Sequence, residues 1–464
     1  MAHPALEEAR ELFSGREAWI VGGAVRDRLL GRETVDLDIS VPEDPKDGAR
    51  LLARATGGAA FRLSGAFGAW RVVGPQHAWH VDLVRLRDGD IRADLAARDF
   101  TVNAMAEPLD GGELLDPHGG RGDLEARRLR TVGPRSLADD PLRTLRAVRL
   151  AIDLELTIDP ATAAEIGRHA PGLANVAPER VFGELKHVVC APAARTGLAL
   201  MEAHGITREV LPELLVLRGV EQTIYHHLDV HDHTLAVLDQ VAAIERDPVA
   251  AGFGEHAEAV ATALATPLAD ELTRGQAMRF AALLHDAAKP WTRTERQDGR
   301  VGFPGHDREG AETARAVLRR LRTSQRLAGY VAALCLHHLR LGFLVHERPL
   351  DRRAVWRYLQ ATAPWSVEVT VFTVADRLAT LGRKAEPAIA AHLDVAREML
   401  GYAFGGDAER PPLVRGDELA RALGMPPGPQ LGELLATLEE ERFAGVIATR
   451  DEAIRRAREL ARAR

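Results

Sequence analysis

Between Val21 and Ser40 the chain reads VGGAVRDRLLGRETVDLDIS, and no other stretch narrows the possible folds so far. Gly22 and Gly23 lead into a segment bearing Arg26 and Asp27 that opens like a helix, and the chain then returns as VDLDIS. In a strand, residues two apart share a face, so Asp36 and Asp38 point the same way. That geometry suits a pair of divalent ions. Glycines let a backbone approach phosphate closely, and a helix N-terminus behind them offers free N–H groups and the positive end of its dipole.

A chain of 464 residues has room for roughly three or four domain-sized units, each with its own core. No apolar run approaches a bilayer span, and MAHPALEEARELFSGRE has no basic-then-apolar leader pattern, so the expected location is the cytoplasm. Cys190 and Cys335, far apart in sequence, exclude a disulfide framework or a cysteine-rich metal site, and both are expected as buried thiols. A formal net charge of -7 argues against a surface that coats nucleic acid throughout. A local basic groove is still possible, because Arg121 to Leu150 holds eight arginines against four acids.

The first 130 residues alternate short apolar runs (AWIVGG, VDLDIS, FRLSGAFGAWRVVG, HVDLVRLR) with Gly/Pro punctuation and helical patterns, as a small mixed α/β domain does. Beyond LRTVGP the chain is helix-forming almost to its end, beginning with Leu142, Leu145, Val148 and Ile152 at helical spacing. APERVFGELKHVV reads as a neck helix with Pro178 near its first turn, and residues 404–412 read as a polar linker. PGPQLG reads as a turn between tail helices, and Thr449 with Glu452 as a capping box opening a basic terminal helix. The expected class is α+β, an α/β head followed by an all-helical neck, body and tail, with domains at 1–133, 134–222, 223–385 and 386–464.

Three further segments follow the carboxylate pair: RDFTVNAMA from Arg98, DPHGGRGDLEARRLRTVG from Asp116 and DDPLRTLRAVRLA from Asp139. With GGAVRD and DLD, in this order, the set resembles the class II nucleotidyltransferases, the family of tRNA CCA-adding enzymes and bacterial poly(A) polymerases, whose head has a polymerase beta-like fold. The resemblance implies nucleotidyl transfer from CTP and ATP to the 3′ end of tRNA, with Mg2+ on Asp36 and Asp38 and with Asp82 as a third carboxylate. Gly22, Gly23 and Arg26 match positions that contact the triphosphate, where a guanidinium fork fits phosphate oxygens. Asp27 is expected to fix the local turn. Arg98 and Asp99 match the ribose-reading motif, although Ala97 stands where the family usually has a first arginine, which implies looser selection of ribose.

Asp140 and Arg143 belong to a variant of the family's EDxxR motif with Asp139 in place of Glu. Their acceptors and donors imitate the pairing edge of a base, so cytosine and adenine, each with an exocyclic amine and a ring-nitrogen acceptor, are preferred to uracil and guanine. Arg146 and Arg149 follow at three-residue steps, toward phosphate or the primer end. Between Arg87 and Arg98 the chain has only DGDIRADLAA, where full CCA-adding relatives usually carry a longer flexible loop associated with the switch from C to A addition. Its shortness leaves CC-only and A-only addition open, and poly(A) addition is the nearest rival.

A histidine-dense region supplies His233, then His285 and Asp286, then His306, the pair His337/His338, and Asp376. This H, HD, H, H, D order resembles the HD superfamily of metal-dependent phosphohydrolases. It implies a divalent transition metal such as Ni, Mn or Co on imidazole and carboxylate donors, with Lys289 in reach of a phosphate oxygen. The pattern DVxxHTL favours His233 over His231, and His338 is preferred to His337. The expected partners are the tRNA 3′ end, CTP and ATP, without DNA or membrane; oligomeric state stays open. Rival readings make the chain an HD phosphohydrolase with an RNA-binding head, or a non-catalytic tRNA-binding factor. The intact Asp36/Asp38 pair counts against both.

Overall fold

The computed structural model describes residues 3–64, 68–223, 226–382, 385–406 and 411–462. It divides into two compact units, Met1–Val210 and Leu211–Arg464, a boundary inside the segment read as the neck.

The first unit is built on a six-stranded sheet of order β3-β4-β5-β2-β1-β6, with β1 Trp19–Val21, β2 Asp36–Val41, β3 Ala59–Ser64, β4 Ala69–Val73, β5 His80–Arg85 and β6 Ala106–Pro108. Alternation decides which face each residue takes: Leu37, Ile39, Val81 and Leu83 are buried, and the acids between them face away. β2 and β5 pair in parallel with Asp38 beside Asp82, while β4 pairs antiparallel to β5 with Arg71 opposite Asp82. Helices α1 Gly23–Leu29, α2 Lys46–Thr56 and α3 Ile91–Ala96 connect the strands. Then come α4 Leu142–Asp153, with Leu142, Leu145 and Val148 buried as their spacing requires, and α5 Pro178–Cys190, opened by Pro178 where no N–H is needed. α4 and α5 pack on each other.

The second unit is mainly helical. α6 Val230–Arg246, α7 Arg274–Leu284, α8 His306–Arg320, α9 Gln325–His337 and α10 Ser366–Ala379 form its body. Side-chain caps set their starts: the Asp229 carboxylate accepts the Asp232 N–H at 2.8 Å, and Thr273 with Gln276 closes a capping box. The tail helices α11 Gly416–Leu423, α12 Pro429–Phe443 and α13 Arg450–Arg462 gather a core of their own around Leu419, Leu431, Leu434 and Leu438.

Several expectations need correction. Cys335 is buried, but Cys190 is half-exposed at the end of α5. PGPQLG is not a turn throughout, because Pro429 already begins α12. Residues 325–344 do have the length and hydropathy of a bilayer span. They divide between α9 and a short helix Arg340–Leu344, and Leu327, Tyr330, Val331 and Leu334 pack into the interior, so their apolar character belongs to a core helix. The linker at 404–412 lies partly outside the described residues, at 407–410.

Candidate active site

The turn from β1 into α1 places Gly22 at φ 71, a left-handed conformation that favours glycine. A Cβ there would lie 2.7 Å from Arg98 Nη1 and 3.0 Å from Asp38 Oδ2, so any side chain would displace the Arg98 guanidinium as well as strain the backbone. One turn into α1, Arg26 donates to both Asp27 oxygens at 2.9 Å and to Asn103 Oδ1 at 2.6 Å. The Asp27 side chain therefore orients Arg26 instead of fixing the turn.

Asp36 is exposed and bonded to His80 Nδ1 at 3.1 Å. Asp38 is more enclosed. Burial pushes its carboxyl up to about 6; Arg98 opposes this, and the Asp82 and Asp36 charges add to it. Asp82 accepts two bonds from Arg71, at 2.7 and 2.8 Å. Arg71 and His80 escape the sequence reading because they join the site only through strand pairing.

On the other side of the cavity, Asp99 is buried and accepts bonds from Phe100 N (2.8 Å), Asn103 Nδ2 (3.1 Å) and Arg146 Nη1 (3.2 Å). Burial would raise its carboxyl, but the Arg146 charge and these bonds outweigh it and hold it below the usual range. Glu184 of α5 accepts from Arg146 at 2.8 Å and Arg149 at 2.7 Å. Burial alone would depress Arg146; Asp99 and Glu184 reverse that and raise it. Arg143 donates to the carbonyls of Ala97 (3.0 Å), Arg98 (3.3 Å) and Ser136 (2.9 Å), while Asp140 is held by Arg180 at 2.7 Å.

Together these groups line a cavity of about 530 Å³ that gathers Gly22, Gly23, Arg26, Asp36, Asp38, Asp82, Arg98, Asp99, Arg143, Arg146 and Arg149, with Arg71 and Asn103. Asp140 stands outside that lining. The basic run from Arg121 to Leu150 is also less free than its composition suggests. Arg121, Arg127, Arg128, Arg130 and Arg135 pair with nearby acids, so Arg143, Arg146 and Arg149 are the arginines of this run that line the cavity.

In the second unit the histidine series converges into two donor triads, His233/His285/Asp286 and Asp286/His306/His338, each with its donor atoms within 4.8 Å of one another. Asp286 serves both: Oδ2 lies 3.1 Å from His285 Nε2 and 3.8 Å from His233 Nε2, and Oδ1 lies 3.6 Å from His306 Nε2 and 3.9 Å from His338 Nε2. Asp376 joins through His233 Nε2 at 3.0 Å. His285, His306 and His338 each set Nδ1 against the carbonyl three residues back (Ala282 2.9 Å, Phe303 2.6 Å, Cys335 2.6 Å), which turns Nε2 inward. The buried Nε2 atoms of His233 and His285 and both Asp286 oxygens are answered only by close charged contacts with one another, with the other donors and with Lys289, the crowding of lone pairs expected of a metal's donor set.

Burial carries the His338 imidazole down to about 4. Burial opposes ionisation of Asp286, but His285 and Lys289, whose Nζ lies 2.6 Å away, hold its carboxyl well below the usual range. His337 faces Arg340 outside the cluster, and His231 pairs with Asp232. Gly310 lets α8 come this close, since a Cβ there would lie 2.8 Å from the His285 carbonyl oxygen.

Family models match in chain order: "Poly A polymerase head domain" over residues 18–130, "Probable RNA and SrmB- binding site of polymerase A" over 155–217, and "HD domain" over 253–381. The chain is 36% identical to the A-adding tRNA nucleotidyltransferase of Deinococcus radiodurans over 94% of each chain. It is 34% identical to the CC-adding tRNA nucleotidyltransferase of Thermus thermophilus, over 95% of this chain and 93% of that one. Among solved structures, the Bacillus stearothermophilus CCA-adding enzyme in complex with CTP superposes with a TM-score of 0.63 at 22% identity, covering 100% of this chain and 99% of that chain. That likeness is one of fold.

Proposed function

The chain belongs to the tRNA nucleotidyltransferase family with a polymerase A head and an HD domain, and from that membership we propose that it adds CMP or AMP from CTP and ATP to the 3′ end of tRNA without a template. One observation carries this reading. A carboxylate pair and a ring of guanidinium groups face each other across one cavity, with a glycine turn leaving room for phosphate.

Asp36 and Asp38 would hold divalent ions, with Mg2+ proposed from their all-oxygen donors; bound there, the ions neutralise charge on the triphosphate and lower the cost of ionising the 3′-hydroxyl. The chain's own residues do the rest. Arg26, its Nε/Nη2 fork taken by Asp27 and its Nη1 by Asn103, presents its remaining terminal N–H groups without further ordering cost. Arg98 and Asp99 take the ribose. Arg143, fixed by three carbonyls, directs its remaining N–H groups at the base edge, and Asp140 supplies the acceptor. Arg146 and Arg149, held by Glu184, offer fixed positive charge to phosphate or the primer end. Asp82 shares the carboxylate face as the third acid and anchors Arg71.

A narrower product is favoured by the segment between Arg87 and Arg98. It is a short ordered helix, capped by Asp90 and closed by an Arg98–Asp94 pair, where a flexible switching loop would otherwise stand. The deciding assay gives tRNAs ending before the first C, before the second C and before the A, with labelled CTP and ATP separately. Product lengths distinguish CCA, CC-only, A-only and poly(A) addition, and no incorporation at all would refute the transferase.

For the second unit we propose metal-dependent phosphohydrolysis, with His233, His285, Asp286, His306, His338 and Asp376 holding Ni, Mn or Co and Lys289 meeting the substrate phosphate. Nitrogen-rich donors converging on a buried carboxylate support that choice. The proposed divisions of labour are 1–133 for transfer, 134–222 for base and RNA contact, 223–385 for hydrolysis and 386–464 for tRNA binding, in the cytoplasm.

A further inference from the structure

The sequence assigns no chemistry to α5, yet two of its residues one turn apart grip side chains of the transfer site. Glu184 takes Arg146 and Arg149, and Arg180 takes Asp140. Asp140 Oδ1 accepts the Leu142 N–H at 3.2 Å and Oδ2 accepts Arg180 Nη2 at 2.7 Å. Arg143, three residues on, does not supply that second bond, because its guanidinium is turned to the carbonyls of Ala97, Arg98 and Ser136.

We propose that Arg180 is a positioning residue that sets nucleobase selection, by holding the Asp140 carboxylate in the one orientation from which it accepts the exocyclic amine of cytosine or adenine. This rests on the reading of Asp140 and Arg143 as the base-pairing edge. Each carboxylate oxygen has two acceptor sites; with one on each already filled, those that remain are fixed in direction. A fixed acceptor facing O4 of uracil or O6 of guanine meets another acceptor with no proton between them, which penalises the wrong base. A carboxylate free to turn aside lets water intervene, and the penalty shrinks. Asp140 is not among the residues that line the cavity, and Arg180 is the side chain bonded to its carboxylate. Arg180 is half-exposed, and an exposed pair contributes little to folding, so selection and stability separate at this residue.

The test measures kcat/KM for CTP against UTP and for ATP against GTP, with melting temperatures, in Arg180→Ala, Arg180→Lys, Asp140→Ala and the double alanine variant. Discrimination is expected to fall about tenfold in Arg180→Ala, to recover largely in Arg180→Lys, and to fall no further when Arg180→Ala is added to Asp140→Ala. Intact discrimination in Arg180→Ala overturns the proposal, as does a further loss in the double variant. Unchanged discrimination in Asp140→Ala alone removes the base-edge reading itself, a failure visible before Arg180 is altered. Should Arg180→Ala fold poorly, Arg180→Met, which keeps an apolar stem without an N–H donor, carries the same comparison.

Discussion

A carboxyl held at about 6, as Asp38 is, binds its proton more readily in the folded chain than in the unfolded one, where its value is 3.8. The sign follows by linkage: the contribution of Asp38 to stability is greatest below about pH 4, falls as pH rises between about 4 and 6, and stays lowered above 6. Asp38→Asn should therefore stabilise metal-free protein at pH 7 by on the order of 1–2 kcal/mol, read as a higher melting temperature, a gain that vanishes near pH 4. The same variant should lose nucleotide addition. Asp36→Ala and Asp38→Ala should each cost roughly three or more decades of addition while tRNA binding persists, read by single-turnover incorporation beside a filter-binding curve. Arg143→Ala should weaken rejection of UTP and GTP along with the rate for CTP and ATP. Because that guanidinium also ties α4 to the 97–98 loop, the melting temperature should drop with it. A lower rate with unchanged nucleotide preference would leave Arg143 as a phosphate contact.

At the level of elements, local pattern was enough to find β2, β5, α4 and α5, because their apolar residues recur with the period of the structure they form. β6, three residues long, carries no such period and is defined by its partner β1. The same limit hid part of the site. GG, DLD and RD announce themselves in one line of sequence, whereas Arg71 reaches Asp82 through the β4–β5 register and Glu184 reaches Arg146 across 38 residues. That His338, and not His337, stands beside His306 and Asp286 likewise depends on which side of α9 meets α8. The α4–α5 pairing yields its own prediction. Glu184→Ala leaves Arg146 and Arg149 without their shared acceptor, so addition should fall about tenfold or more and unfolding should come several degrees lower, whereas Glu184→Gln, which keeps an acceptor oxygen, should lie between. Equal activity in all three proteins would show that the arginines orient themselves.

Across the whole molecule, the transfer site draws its residues from the first compact unit and the histidine cluster from the second. Changing His285 and Asp286 together to Ala should leave CTP incorporation within a fewfold of the parent, and should abolish metal content and hydrolysis of 2′,3′-cyclic phosphates or phosphomonoesters measured on the same preparation. Unchanged metal content would make the cluster structural, and equal loss of both activities would mean that one centre depends on the other. The four histidines and Asp286 of that cluster are buried, Asp376 is partly exposed, and three rings are pinned through Nδ1 to backbone carbonyls. A ring so pinned cannot swing off an ion by itself, so an ion would leave only by stepwise exchange of its donors through the cavity that Asp286, His306, His338 and Asp376 line, more slowly than from freely rotating ligands. Residence time, and not affinity alone, then decides which ion is found there: the purified protein should carry a record of the metals available when it folded, surviving brief dialysis against chelator and fading on longer exposure.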